Sequence, residues 1–108
     1  MIKKLLLFSL IIAFVIAGTA PKNLQVLKYE DVEQTKSYMK KMSKDLGVKC
    51  KFCHDLDDFA SDENKHKTLA RDMMKMVHTI NGDFINWKDA NPVTCWTCHQ
   101  GKKEPPKK

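Results

Sequence analysis

Cys50-Lys51-Phe52-Cys53-His54 and Cys95-Trp96-Thr97-Cys98-His99 are two C-x-x-C-H pentapeptides, and together they use all four cysteines of the chain. No other feature constrains the fold as much. Two thiols one helical turn apart can add to the two vinyl groups of one haem, and the imidazole that follows is placed to coordinate its iron. A four-cysteine zinc site made from two C-x-x-C knuckles would use the same thiols. So would structural disulfides in an exported protein. Both leave His54 and His99 as coincidences. A thioredoxin-like motif needs a βαβ context, and the sequence has no strand alternation to supply one. The pattern predicts two covalently bound haem c groups, with Cys50, Cys53, Cys95 and Cys98 as thioether positions and His54 and His99 on the irons.

The two ends read differently from the middle. Lys3 and Lys4 precede an uncharged apolar stretch of thirteen residues, Leu5 to Ala17, followed by small residues. This is the pattern of a secretory signal, short for a transmembrane helix of about 20 residues. Cleavage is expected near Gly18, and an uncleaved anchor at the membrane is the alternative. Either way the haem motifs reach the periplasmic or exported side, where haem is attached covalently. Residues 1–20 are thus expected as signal peptide or anchor, 21–101 as one di-haem domain, and 102–108 as a basic tail. About ninety residues cannot build a generous apolar core, so the haems are expected to serve as plates around which short helices pack.

The net charge of +6 invites a nucleic-acid reading, which the distribution argues against. Two of the charges are Lys3 and Lys4, and haem propionates would offset most of the remainder. In the tail, Lys102, Lys103, Lys107 and Lys108 flank Glu104-Pro105-Pro106. A solvated, extended end is expected there, with a docking surface for an acidic partner as the sharper alternative.

Between the motifs the periodicity is helical. Val32, Thr35, Met39, Met42 and Leu46 recur at steps of three and four and share one face. Asp31 with Gln34 resembles a capping box, and Gly47 is placed to end the helix in a left-handed turn with Val48 as the next apolar contact. A second helix is expected from Asn64 or Lys65 to Asn81, with Leu69, Met73, Met76 and Ile80 on one stripe and Gly82 as its stop. The fold class is therefore mostly α, with a methionine-bearing helix ahead of each haem motif. Met39, Met42, Met73, Met74 and Met76 are packing residues by their spacing. A haem held by one histidine also needs a second ligand or an open position, and thioether is one such ligand. His66 and His78 read as surface or capping residues, with His78 an alternative ligand if its helix were rotated. Trp87, Trp96, Phe52, Phe59, Phe84 and Tyr38 are expected to pack around the porphyrins.

Several runs carry a family resemblance. Asn23-Leu24-Gln25-Val26-Leu27, the stretch from Met39 through Leu46-Gly47-Val48 to His54, Asp58 to Asp62, Ala70 to Met76, Ile80-Asn81, and Val93 to Gly101 resemble the cytochrome subunit of photosynthetic reaction centres. The resemblance extends over almost all of Asn23 to Gly101 and is to one di-haem half of a four-haem subunit. It implies methionine from an upstream helix as the sixth ligand, which falls on Met39 for the first haem and Met73 for the second. It also implies electron carriage between redox partner proteins in the periplasm or at the membrane, rather than catalysis. A small peroxidase or gas binder with one open iron position is the enzymatic alternative, and a zinc or disulfide scaffold the structural one.

Overall fold

The computed structural model describes residues 20–108; the signal or anchor expected over residues 1–20 therefore lies almost wholly outside the described residues. The described residues form three α-helices with a 3₁₀ turn and a π turn, and their only strand-like feature is an isolated bridge between Asp55 and Asp58. No described helix is long and apolar enough to cross a membrane.

Helix α1 spans Val32–Leu46. Its N-terminus is capped by Asp31, whose carboxylate accepts from the Glu33 N–H at 2.7 Å. Gln34 makes no reciprocal bond, so the expected capping box is reduced to a single cap. The C-terminus follows the expectation in full. Gly47 adopts φ 64°, its N–H donates to the Lys44 carbonyl, and the Val48 N–H donates to Ser43. This is a Schellman ending, in which a left-handed residue satisfies carbonyls the helix leaves free.

Gly47 has a second task that its local role does not reveal. A Cβ there would overlap the carbonyl oxygen of Gly101. The Gly101 N–H in turn donates to the Asp45 carbonyl at 2.8 Å. The end of α1 is thus laid directly against the end of α3, Cys95–His99. Asp45 is buried at this junction and paired with Lys41 at 2.7 Å.

Helix α2 spans Lys65–Thr79 and is capped by Asn64, which accepts from the His66 N–H at 2.9 Å. Gly82 does not stop it. The chain continues through a π turn, Ile80–Phe84, closed by the Ile85 N–H on the Ile80 carbonyl at 2.8 Å. Gly82 has no positive φ, so its lack of a side chain never produces the left-handed reversal a C-terminal stop needs. Asn81 sits inside this turn and exchanges two hydrogen bonds with the Val93 backbone, at 2.7 and 2.8 Å. At the other end of α2 the Asn64 amide donates to the Phe52 carbonyl at 3.0 Å. Two asparagines therefore tie the ends of α2 to the two cysteine motifs.

The N-terminal segment is held to α2 by a polar cluster. Asp62 accepts from Arg71, Asn23 and Lys67 at 2.9, 2.9 and 3.1 Å. Arg71 also donates to the Asn23 carbonyl at 3.0 Å and is buried. The Asn23 amide, then Lys67 and Arg71, hold the Asp62 carboxyl down to about 2. A lowered carboxyl pKa contributes stability that is complete above about pH 4 and lost as pH falls through the lowered value.

Two predictions follow from these junctions. Gly47→Ala should destabilise the protein by about 1–3 kcal/mol, read as a lowered midpoint in thermal or denaturant unfolding, because it combines a strained φ with an overlap no side chain can relieve. Asp62→Asn should remove part of the acid-unfolding response between about pH 4 and pH 2, followed by circular dichroism; a variant as acid-sensitive as the parent over that window would show that the cluster does not hold the segment.

Candidate haem sites

The local geometry of the pentapeptides follows from their spacing. Cys50–Phe52 is a 3₁₀ turn that opens into an α-type bond at its end, with the His54 N–H on the Cys50 carbonyl at 2.9 Å. The second motif is a five-residue helix, whose start is braced by the Thr94 N–H donating to Thr97 Oγ1 at 2.9 Å. In each motif the two thiols lie one helical turn apart. Burial pushes the Cys53 and Cys95 thiols up.

Each motif borders its own cavity. The first has a volume of about 670 Å³ and is lined by Cys50, Cys53 and His54, with Met39 from α1. The second, of about 450 Å³, is lined by Cys95, Cys98 and His99, with Met73 from α2. Both fall in the range of about 300–1,000 Å³ common for cofactor pockets. Cys50 lines only the first cavity, Cys95 and Cys98 only the second and Cys53 both, and no group of three His, Cys, Asp or Glu side chains among the described residues converges on a metal-holding geometry. That arrangement does not fit a shared four-thiolate zinc site.

The two motif histidines are oriented in the same way. His54 Nδ1 lies 3.0 Å from the Phe59 carbonyl oxygen, and His99 Nδ1 lies 2.9 Å from that of Lys102. A carbonyl only accepts, so each Nδ1 carries the proton and each Nε2 keeps a lone pair for a metal. Thiols at one-turn spacing, an imidazole held in the right tautomer and apolar walls together fit a c-type haem in each cavity.

The walls hold details the periodicity did not resolve. Met42, Leu46, Cys53, Ala70 and Met74 line both cavities and so form the partition between them. Met74 is buried, one of only two buried hydrophobic side chains among the described residues, the other being Leu27. It was legible only as one of three methionines on its helix, because it falls beside the Leu69–Met73–Met76–Ile80 stripe. A helix that faces two cavities needs two adjacent stripes, and Ala70 and Met74, which line both, belong to the second.

Several expectations are corrected here. Trp87 and Phe84 are 63% and 70% exposed, and neither they nor Trp96 and Tyr38 line a cavity. The π turn carries Phe84 outward, and the Trp96 ring lies against Gly101. Phe59 and Phe52 do line the first and second cavities respectively. His78 lines neither. His66 is more than a surface residue: its ring stacks on Phe52 at 4.0 Å, Nδ1 meets the Phe52 carbonyl, and it borders the second cavity. Residues 102–108 are all exposed, in keeping with the expected solvated tail, and Lys103, Glu104 and Pro105 also border the second cavity. The bond from His99 to the Lys102 carbonyl sets its course.

Comparison with known proteins agrees with this chemistry. Residues 13–108 match the family model described as photosynthetic reaction centre cytochrome C subunit. Cytochrome c-554 of Chloroflexus aurantiacus is 43% identical over 82 residues, covering 71% of this chain and 20% of that protein. The photosynthetic reaction center cytochrome c subunit of Thermochromatium tepidum is 33% identical over 91 residues, covering 82% of this chain and 22% of its own length. This chain thus spans about a fifth of the length of these relatives. Two haem-type motifs, their paired cavities and a match across nearly the whole sequence lead to one assignment: the chain belongs to the photosynthetic reaction centre cytochrome c subunit family.

Proposed function

We propose that this protein is an exported di-haem c-type cytochrome that carries single electrons between redox partner proteins in the periplasm or at the membrane. The observation that carries the reading is the matched pair of motif histidines, each with Nδ1 committed to a backbone carbonyl and each beside its own thiol-lined cavity. A bound haem supplies an iron that changes oxidation state by one electron. The chain's own residues attach, orient and insulate it.

In the first cavity Cys50 and Cys53 are the attachment points and His54 the proximal ligand. In the second these roles belong to Cys95, Cys98 and His99. Met39 and Met73 are assigned as the distal ligands. The family pattern selects them, and their presence on the cavity walls supports the selection. Thioether ligation favours the ferrous state and raises the potential. The same methionines separate this reading from a small peroxidase or gas binder, whose iron must keep an open position. The leader of residues 1–20 delivers the chain to the exported side, either cleaved near Gly18 or retained as an anchor.

Produced together with a cytochrome c maturation system, the protein should gain the mass of two haems and give a pyridine haemochrome spectrum of haem c. An intact mass showing zinc, or no cofactor, would overturn the assignment. Met39→Ala and Met73→Ala should each remove the sulfur-to-iron charge-transfer band from one ferric haem and lower that haem's potential, whereas Met42→Ala should cost packing stability and leave both bands. Loss of a band in Met42→Ala but not in Met39→Ala would move the ligand by one helical turn.

A further inference from the structure

Residues 20–27 line the first cavity without a break, and none of them borders the second. The segment has no helix or strand. Leu24 and Val26 are half-buried and Leu27 is buried, whereas Lys22, Asn23 and Gln25 are exposed. The larger apolar side chains are thus turned inward and the polar ones outward, the arrangement of a strap with the cavity on one side and solvent on the other. What holds the strap is narrow. Among the described residues, none of 20–27 makes a backbone–backbone hydrogen bond. Among those same residues, every hydrogen bond from the strap to the rest of the chain passes through Asn23. Its amide donates to the Ala60 carbonyl at 2.8 Å and to Asp62 at 2.9 Å, and its carbonyl accepts from Arg71 at 3.0 Å. Gln25 donates to the Asn23 side-chain oxygen at 3.1 Å, within the strap. Asn23 takes φ 63°, a left-handed conformation that asparagine tolerates better than most residues.

We infer that Asn23, Asp62 and Arg71 form a latch that keeps this strap over the first haem site, and that the latched strap excludes water and small anions from that site alone. The inference rests on the di-haem reading above and makes Asn23 a positioning residue for one of its two sites. Arg71 lies on α2 and is buried, so the latch joins the strap to a helix that itself borders the cavity. A dry wall disfavours the more highly charged ferric state and so raises the potential of the haem behind it. The second cavity has no such strap. The chain end that borders it, Lys103 to Pro105, is exposed throughout. Two sites with matching thiols, histidines and methionines therefore differ in how they are closed.

The test uses the full-length haem-loaded protein and cyanide as the probe of access to each ferric haem. The two haems are told apart by proton NMR contacts with the ring of Phe59, which lines only the first cavity, or of Phe52, which lines only the second. In the parent, cyanide should bind the first haem more slowly than the second. Asn23→Gly keeps the left-handed backbone and removes the amide. It should speed cyanide binding at the first haem about tenfold or more, the range expected when a charge-assisted bond that holds a closed state is lost. The potential of the first haem should fall, and both properties of the second haem should stay as they are. Asp62→Ala, which removes one acceptor of the same amide, should act in the same direction with a smaller effect and serves if Asn23→Gly disturbs folding. Unchanged cyanide rates and potentials in both variants overturn the proposal. So does a change shared equally by the two haems, which would reduce the cluster to a general support of the fold, or parent haems equally open to cyanide. Absence of covalent haem from the parent, read by intact mass before any kinetics, would instead defeat the di-haem reading itself.

Discussion

The hydrogen bonds of two asparagine side chains hold the site together. Asn64 and Asn81 sit at the two ends of α2, and each bonds the backbone beside one cysteine motif. Because α2 also contributes to both cavities, its position sets the width of each. An amide side chain suits this work because it offers donor and acceptor together, so Asn81 can pair with the N–H and the carbonyl of Val93 as a neighbouring strand would. The π turn around Asn81 follows from that demand. The helix widens by one residue where a side chain must reach across to the second motif, and such turns occur frequently at functional sites.

The apolar residues are distributed as this arrangement requires. Among the described residues only Leu27 and Met74 are buried hydrophobics, while Leu69, Met73, Met76 and Phe59 remain substantially exposed to solvent and line the cavities. A chain of this length buries too little surface to support an ordinary core. Here the apolar faces of α1 and α2 are turned toward two pockets, with Met42, Leu46 and Met74 as the thin common wall. Methionine serves well in such a wall because its unbranched, polarizable side chain fills irregular space from either side.

The proximal side is organised by backbone. The Phe59 and Lys102 carbonyls each fix a histidine tautomer, and both belong to the chain that follows the motif by a few residues. The path taken after each C-x-x-C-H is thus part of the site. In the second motif that path passes Gly101, whose N–H is held by the Asp45 carbonyl, so the orientation of His99 depends on the end of α1.

By itself the sequence determined the two helices, the Schellman ending at Gly47 and the assignment of thiols and imidazoles to a haem motif. All of these depend on contacts within a few residues, where spacing and residue type are sufficient. It also carried the family resemblance, and with it the expectation that Met39 and Met73 serve as distal ligands. Only the tertiary structure decided which residues face which cavity. Met74 and Ala70, which border both cavities, form a second stripe that one-face periodicity could not separate from the first. Gly82 reads as a stop until the Asn81 bonds to Val93 are seen to carry the helix through it. Trp87 and Phe84 have the composition of pocket residues and the position of surface ones, because the π turn and the loop after it aim them outward. The contact of Gly47 with Gly101 and the bonds of Asn23 to Asp62 and Arg71, which lie 39 and 48 residues further along, join segments far apart in the sequence. No local pattern encodes such a pairing; it exists only after the chain has closed.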